Sequence, residues 1–301
     1  MMGRPRQPAA RFRRPTLLIV GCGDVGLRVA ALLRGRWRLI GLTSSVERVP
    51  ALRAAGVQPL VGDLDAPATL ARLAGLADAV LHLAPPPAQG RTDPRTAHLL
   101  QALARQRRVR RLVYASTSGV YGNCEGARID ETRATRPATD RARRRVDAEQ
   151  RLRWYGRAFG ARVTLLRIPG IYAGDRAGGH PCERLARGAP VLAPEHDVYT
   201  NHIHADDLAR ACVAALHRGW PQRVVHASDD TELKMGDYFD LAADLEGVPR
   251  PRRVTVDQAR AELSPMQLSF MGESRRLINT RLKRELRLRL RYPTVAQGLR
   301  A

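Results

Sequence analysis

A glycine pattern near the N-terminus offers the first recognisable chemistry. Gly21, Gly23 and Gly26 have the spacing G-x-G-x-x-G, directly after an apolar run at 16–20 and before an apolar helical pattern. Gly21 would make a tight turn, Gly23 would admit a pyrophosphate, and Gly26 would let the helix pack closely on the strand. A helix N-terminus also presents free N–H groups and a positive dipole end to phosphates. The stretch therefore predicts dinucleotide binding, with the phosphate-binding candidates Gly21, Cys22, Gly23, Asp24, Val25 and Gly26.

The end of the second predicted strand bears on the choice of cofactor. Sites that prefer NAD place an acidic residue there to hold the ribose diol. This chain instead has Thr43, Ser44 and Ser45, followed by Arg48. Hydroxyl groups beside an arginine suit a 2′-phosphate, so the sequence predicts NADP, with NAD as the alternative. The competing interpretation is that Arg48 is an ordinary solvated helix residue.

A carboxylate follows the third predicted strand. Asp63 would lie at the carboxyl edge of the sheet, where it could accept a hydrogen bond from the adenine amino group. It could equally cap the next helix. Both interpretations stay open at this point.

Apolar strands alternate with helical patterns through the first half of the chain. Such alternation predicts an α/β protein with a doubly wound parallel sheet of the Rossmann type. We expect strands at 16–20, 37–42, 57–61, 79–83, 111–115 and 162–167, and helices at 24–33, 46–55, 67–73, 94–107 and 139–159.

The remainder of the chain predicts a smaller lobe. We expect a disordered basic arm at 1–14, an NAD(P)-binding domain at 15–170 and a substrate-binding lobe at 171–301. Residues 200–228 would return to the large sheet, with a strand at 224–227, and a helix would follow at 234–245. The stretch 274–291 fits a basic amphipathic helix, but its alternating leucines at 286–290 also fit a strand.

The charge of the chain is extreme. Its 301 residues carry a net charge of +22, and the only lysines are Lys234 and Lys283. Such a charge could attract nucleic acid or an anionic membrane. Because the arginines are spread over almost every predicted helix, an arginine-biased genome explains them better than a nucleic-acid partner does. No stretch is long enough to span a membrane, so a membrane partner is not expected.

The cysteines indicate the redox environment. They are far apart and form no C-x-x-C motif: Cys22, Cys124, Cys182 and Cys212. This spacing argues against a disulfide framework or a zinc site and suits a reducing cytoplasm.

Four segments together resemble a known family. Residues 113–122 read V-Y-A-S-T-S-G-V-Y-G, similar to the fifth-strand signature of extended short-chain dehydrogenases/reductases, the sugar-nucleotide epimerase and dehydratase group. Residues 62–64 resemble its adenine-contact turn, 166–172 its segment after the sixth strand, and 201–209 its I-H-x-x-D element. The segments occur in the family's order.

The helix that should carry the family's catalytic pair departs from the pattern. The family uses a tyrosine and a lysine four residues later on one helix face, where the lysine lowers the tyrosine pKa. Here no tyrosine precedes a lysine at that spacing. Alignment on residues 148–150 puts Arg141 and Arg145 at the pair, and a shift of one gives Asp140 and Arg144. Since an arginine is a poor proton donor, the chain resembles the family's atypical members.

The resemblance implies roles for particular residues. Thr117 matches the catalytic Ser/Thr and would bond a substrate carbonyl, although its hydroxyl could instead bond the backbone. Arg145 would bind the nicotinamide ribose, and Tyr121 is the alternative proton donor. Further cofactor contacts would come from Asp63, Leu64, Leu83, Ala84, Pro85, Ser116, Arg145 and Pro169. Substrate contacts would come from Thr117, Ser118, Tyr121, Ile171 and His202.

Two histidines suggest a metal before the resemblance is considered. His202 and His204 would face one side of a strand, close to Asp206 and Asp207. The resemblance implies structural roles for His204 and Asp207, so no metal is predicted. It also implies a homodimer, because the basic runs 105–111 and 141–145 lie on helices that extended members use to dimerise.

The predicted function is NAD(P)-dependent chemistry on a small molecule. An enzyme of this type would act as an oxidoreductase or epimerase at a carbinol or carbonyl carbon, for instance of a nucleotide sugar. The alternative is a non-catalytic NADP-binding redox sensor that acts through a protein partner; the missing Tyr–Lys pair favours it.

Overall fold

The computed structural model describes residues 14–301, so the predicted basic arm lies outside the described residues except for Arg14. The strands, several of them very short, are β1 Thr16–Val20, β2 Arg38–Thr43, β3 Gln58–Val61, β4 Ala79–His82, β5 Arg111–Thr117, β6 Arg128–Ile129, β7 Arg162–Ile168, β8 Gly170–Tyr172, β9 Val191–Leu192, β10 Tyr199–Thr200, β11 His202–His204, β12 Arg223–His226, β13 Leu233–Lys234, β14 Arg253–Val254 and β15 Arg276–Leu277.

The helices alternate with the longer strands. They are α1 Asp24–Leu33, α2 Val49–Ala54, α3 Pro94–Ala104, α4 Asp140–Phe159, α5 Cys182–Ala186, α6 Ala205–Arg218, α7 Met235–Glu246, α8 Val256–Glu262, α9 Pro265–Met271, α10 Thr280–Arg284 and α11 Val295–Gly298. Short 3-10 helices occur at Val46–Arg48, Pro67–Leu73 and Ser118–Tyr121. None of the helices within 14–301 is long and apolar enough to cross a membrane.

The central feature is a seven-stranded parallel sheet with the order β12-β7-β5-β4-β1-β2-β3. This confirms the predicted doubly wound α/β fold. The strand order reverses between β1 and β4, so the connections leave these two strands in opposite directions. At such a switch point a crevice opens outside the carboxyl ends of the strands, which is where ligands bind in sheets of this kind.

Helices cover both faces of the sheet, so the strand residues are buried on both sides. Successive side chains of a strand point to opposite faces. Leu17 and Ile19 belong to the core that includes α1 and α6, whereas Leu18 and Val20 belong to the core that includes α3 and α4. The apolar run before the glycine loop therefore anchors that loop from both faces.

The C-terminal part has its own apolar core. Small two-stranded sheets pair β10 with β13, β8 with β11, β9 with β14, and β6 with β15. The core beside them includes Tyr172, Val191, Tyr238 and Phe239. Residues 205–226 return to the large sheet: α6 packs against it and β12 is one of its edge strands. The division of the chain at residue 170 stays a prediction.

Residues 274–291 form neither of the two structures expected for them. They contain β15 and α10, and an irregular stretch follows, in which Arg287 has φ +51° and the Leu288 N–H donates to the Leu282 carbonyl. In that stretch Leu286, Leu288 and Leu290 are buried and the arginines between them are exposed. The alternation therefore indicated which side chains are buried, but not the backbone conformation.

A buried ion pair fixes α4 against the sheet. Arg167 of β7 donates to both carboxylate oxygens of Glu149, from Nε at 3.1 Å and from Nη2 at 2.7 Å. Ser116 of β5 donates from its hydroxyl to the same carboxylate at 2.6 Å. All three side chains are buried, so α4, β5 and β7 share one polar contact inside an apolar core.

Removing one partner of this pair should be costly. We expect Glu149→Ala to lower the free energy of unfolding by about 3–5 kcal/mol, because it leaves the Arg167 guanidinium buried and unpaired. A Glu149→Leu/Arg167→Met double variant should recover much of that loss, since apolar replacements of a buried pair are often near neutral. Urea unfolding measures both. Asp257→Ala, at a side chain that is 90% exposed, is the control and should change stability little. A loss below about 1 kcal/mol in Glu149→Ala would contradict the assignment.

Candidate functional site

A cavity of about 400 Å³ opens at the carboxyl ends of β1, β2, β3 and β4. Most of the predicted cofactor residues line it: Gly21, Cys22, Gly23, Thr43, Ser44, Ser45, Arg48, Asp63, Leu64, Leu83, Ala84 and Pro85. Asp24, Val25 and Gly26 form the first turn of α1 next to it. Segments far apart in the sequence thus meet at the switch point of the sheet.

The three glycines of the loop meet three different steric demands. Gly21 has φ +82°, and a Cβ there would lie 2.5 Å from the backbone nitrogen of Ala84. At Gly26 a Cβ would lie 3.3 Å from both Cys22 Sγ and Ile19 Cγ2, where α1 packs on β1. At Gly23 a Cβ would meet nothing within 4 Å. Gly21 and Gly26 are therefore needed for the fold, and Gly23 leaves space above the loop.

The residues at the end of β2 that line this cavity include no acidic side chain. Arg48 reaches back to the glycine loop and donates from Nη2 to the Cys22 carbonyl at 3.0 Å. The Ser45 hydroxyl donates to the neighbouring acid, Glu47, at 2.5 Å and lowers the pKa of that carboxyl. Hydroxyls and a guanidinium therefore stand where an NAD site would have an acidic residue.

Asp63 stabilises a local turn and does not cap the following helix. Its carboxylate accepts from the Asp65 N–H at 2.9 Å, and its own N–H donates to the Thr69 hydroxyl at 2.8 Å. The N-cap residue of the 3-10 helix at Pro67–Leu73 is Ala66, with no side-chain hydrogen bond at the cap. The capping alternative is therefore not formed, and Asp63 lines the cavity, where its contact with adenine stays a prediction.

A second cavity, of about 610 Å³, lies beyond the carboxyl ends of β5 and β7 and extends over the C-terminal part of the chain. It is lined by the predicted substrate residues Thr117, Ser118, Ile171 and His202, and also by Pro169, which was expected to contact the cofactor. The Thr117 hydroxyl accepts from the Gly119 N–H at 3.2 Å. The backbone bond considered for Thr117 is thus formed, on a residue that borders the cavity.

Helix α4 presents one of its two aligned arginines to the second cavity. Arg141 lines it, and its guanidinium lies 4.5 Å from the centre of the Phe270 ring. Arg145, one turn later, donates from Nη1 to the Ala115 carbonyl at 2.7 Å and to the Tyr114 hydroxyl at 3.0 Å. Arg145 does not border either cavity, so its expected contact with a ribose is replaced by contacts with β5.

Two other predicted site residues lie in the core. Tyr121 is buried, and its hydroxyl contacts His226 Nε2 at 2.5 Å. Since His226 Nδ1 faces the Ile278 carbonyl at 3.0 Å, Nδ1 carries the proton and Tyr121 donates to Nε2. Burial raises the pKa of Tyr121 to about 12. Tyr121 and Ser116, whose hydroxyl donates to Glu149, thus both have partners inside the protein, and their expected roles toward substrate and cofactor stay predictions.

The histidines of the β11 segment have structural partners. His204 caps α6, accepting at Nδ1 from the Asp206 N–H at 3.2 Å. His202 is buried and stacks on Tyr238 with 4.1 Å between ring centroids, and burial lowers its pKa to about 3. Asp207 accepts from the backbone N–H groups of Arg291 and Tyr292. This agrees with the structural roles that the resemblance implies for His204 and Asp207.

Several arginines line the second cavity, and the sequence alignment indicates only Arg141 among them. Arg141, Arg184 and Arg187 border it, and no carboxylate of residues 14–301 lies within salt-bridge distance of any of the three. Arg275 also borders the cavity but pairs with Glu273 at 2.9 Å. Glu183 borders the cavity as well and, among the described residues, accepts only from the Gly178 N–H, so three unpaired arginines outnumber one unpaired carboxylate and the lining stays net positive. No local pattern could have shown this, because arginines are frequent on every helix.

The fold and the glycine loop define a dinucleotide-binding α/β protein of the Rossmann type. Residues 17–227 match the NAD dependent epimerase/dehydratase family, and the chain belongs to that family.

Individual relatives agree with this assignment. A solved structure of a functionally unknown conserved protein from Silicibacter pomeroyi DSS is 32% identical, with 95% of this chain and 97% of that chain covered and a TM-score of 0.80. Protein YeeZ of Escherichia coli (strain K12) is 26% identical over 261 residues, 81% of this chain and 89% of its own length. The UDP-glucuronic acid 4-epimerase from Bacillus cereus, solved with UDP-glucuronic acid and NAD, shares the fold at 18% identity and a TM-score of 0.73, over 95% of this chain and 97% of that chain.

Proposed function

We propose that the protein binds NADP(H) in the cavity at the switch point. One observation carries the proposal: the glycine loop, the acid-free end of β2 and the Arg48 guanidinium meet in one cavity. The open space at Gly23 suits a pyrophosphate against the N-terminus of α1. Ser44, Ser45 and Arg48 suit a 2′-phosphate on the adenosine ribose. NAD, which is bound to the Bacillus cereus enzyme, is the alternative.

A first test of the proposed cofactor site concerns the position of the pyrophosphate. Gly23→Val should abolish NADPH binding and leave the fold intact, because the added side chain enters the space above the loop, where a Cβ has no protein atom within 4 Å. Isothermal titration calorimetry with NADPH measures it. Gly174→Val is the matched control, since Gly174 also has open space around its Cβ position. Unchanged NADPH affinity in Gly23→Val would place the cofactor elsewhere.

A second prediction concerns cofactor preference. The wild-type chain should bind NADPH more tightly than NADH, and Arg48→Ala should weaken NADPH by about 1.5–3 kcal/mol, the value of a hydrogen bond to a charged group. NADH binding should change much less, since it has no 2′-phosphate. Fluorescence titration of both reduced cofactors gives the comparison. Equal losses for the two cofactors, or tighter NADH binding in the wild type, would favour NAD.

We further propose hydride transfer at a carbinol or carbonyl carbon of an anionic small molecule. When bound, the nicotinamide supplies or accepts the hydride. The Thr117 hydroxyl would hold the substrate oxygen at the end of β5. Arg141, Arg184 and Arg187 would bind a phosphate or another anionic group, because none of them has a carboxylate partner among the described residues. A nucleotide sugar, as in the Bacillus cereus complex, has that chemistry.

A third prediction separates the two hydroxyl candidates. Thr117→Ala should reduce kcat for carbonyl reduction about 10²-fold, the usual effect of losing one donor to a developing oxyanion. Tyr121→Phe should keep its activity, because that phenol is buried against His226. Steady-state NADPH oxidation over neutral and phosphorylated carbonyl compounds measures both, and absolute rates should be low because Arg141 stands at the aligned tyrosine position of α4. Full activity in Thr117→Ala would exclude this role for Thr117.

The second candidate function is an NADP(H)-binding sensor without catalysis. The specific observation in its favour is that Arg141, a poor proton donor, borders the cavity on α4 where the family's tyrosine is expected. Tight NADPH binding without turnover on any compound of the panel would support this candidate over the enzyme. The homodimer and the cytoplasmic location stay predictions.

A further inference from the structure

Three potential metal ligands, one from a loop and one from each of two helices, meet beside the second cavity. His180 lies in the loop after β8, Cys182 is the first residue of α5, and Glu246 is the last residue of α7. One donor atom from each lies within 4.8 Å of the other two. His180 Nε2 and Glu246 Oε1 are 3.7 Å apart. Neither cofactor nor substrate binding, as proposed above, uses Cys182 or Glu246.

The donor set is that of a zinc-type ion. Zn²⁺ binds histidine nitrogen, cysteine thiolate and carboxylate oxygen at about 2.0–2.3 Å, in tetrahedral geometry, so its ligand atoms lie roughly 3.4–3.6 Å from one another. The separation between His180 and Glu246 is already close to that value. Movement of about 1 Å at the Cys182 side chain, which is the start of a short helix, would complete a three-ligand site with a fourth position for water.

The end of α7 favours a cation at this point. Its twelve residues stop at Glu246, and Gly247 turns the chain away with φ +64°. The carboxyl end of a helix carries a partial negative charge, which favours a cation and disfavours a carboxylate standing alone. A bound divalent ion would satisfy both the helix end and Glu246.

Two existing contacts would have to change. The Cys182 thiol is hydrogen-bonded to the Glu246 side chain, and its proton would leave when the thiolate binds the metal. The second contact lies at the start of α5. His180 Nδ1 accepts from the Cys182 N–H at 3.4 Å. If Nε2 binds a metal, Nδ1 carries the ring proton and can no longer accept. The contact is long, and its N–H is one of the free donors at the start of α5, where water can replace Nδ1 as the acceptor.

We propose that His180, Cys182 and Glu246 bind one divalent metal ion of the zinc class. The ion would join the 173–181 loop to the end of α7. That loop supplies Arg176, Gly179 and His180 to the wall of the second cavity, so metal binding would order one side of it. Sequence spacing gave no sign of the site, because Glu246 is remote in the chain and the remaining H-x-C motif is too short to indicate zinc.

The test uses the full chain without a histidine tag. After incubation with zinc and gel filtration, metal analysis should find about one zinc per chain. His180→Ala, Cys182→Ser and Glu246→Gln should each weaken zinc binding by about tenfold or more, because loss of a direct ligand costs at least as much as loss of a residue that orients one. His196→Ala, at an exposed histidine of the next loop, is the matched control and should bind like the wild type.

Two further readouts separate a built site from zinc on the surface. Cobalt(II) should give a thiolate-to-metal absorption band that Cys182→Ser abolishes and His196→Ala keeps. Zinc should raise the Tm of the wild type clearly more than that of Cys182→Ser at the same zinc concentration, since the variant binds zinc more weakly. The proposal would be overturned if the wild-type protein bound no zinc. It would also be overturned if His196→Ala lost as much zinc as the three ligand variants. NADPH titration in a chelating buffer tests the cofactor proposal independently.

Discussion

The contact between the glycine loop and the end of β4 is the constraint on which the ligand-binding edge depends. The Val20 carbonyl accepts from the N–H groups of both Leu83 and Ala84, at 2.8 and 2.9 Å. This draws the chain after β4 against Gly21, where no side chain fits. The loop must therefore turn sharply with positive φ, so α1 starts at the crevice with its free N–H groups facing it. The space at Gly23 is a consequence of that turn.

Helix α4 is held by a different kind of contact. The ion pair of Glu149 with Arg167 lies in the core, where a lost partner is far more costly than at the surface. It fixes the rotation of the helix, which in turn decides what the two aligned arginines can do. Arg141 borders the second cavity, and Arg145 binds the Ala115 carbonyl. The arginine pair therefore does not reproduce a tyrosine–lysine pair, since only one member is available to a ligand.

Local patterns in the sequence predicted the sheet, its helices and the glycine loop, because strand alternation and glycine spacing are set by neighbouring residues. They could not give the direction of a side chain within a matched motif. Tyr121 and Thr117 belong to one segment, yet one is buried against His226 and the other borders a cavity. The leucines at 286–290 indicated a buried face but not the backbone conformation, since Arg287 has φ +51° and the segment folds back on α10.

The sequence also cannot show which arginines are paired with carboxylates, because many of these ion pairs join residues that are far apart in the chain. Arg28 pairs with Asp24, Asp175 and Asp206, and Arg176 pairs with Asp24 as well. These pairs tie the first turn of α1 to the loop that borders the second cavity. Arg28 and Arg176 are thus neutralised within the fold, and a ligand meets only the positive charge of arginines that form no such pair. Arg48 in the first cavity and Arg141, Arg184 and Arg187 in the second have no such partner among the described residues. An anion that binds in either cavity therefore meets guanidinium groups that have no carboxylate partner among the described residues.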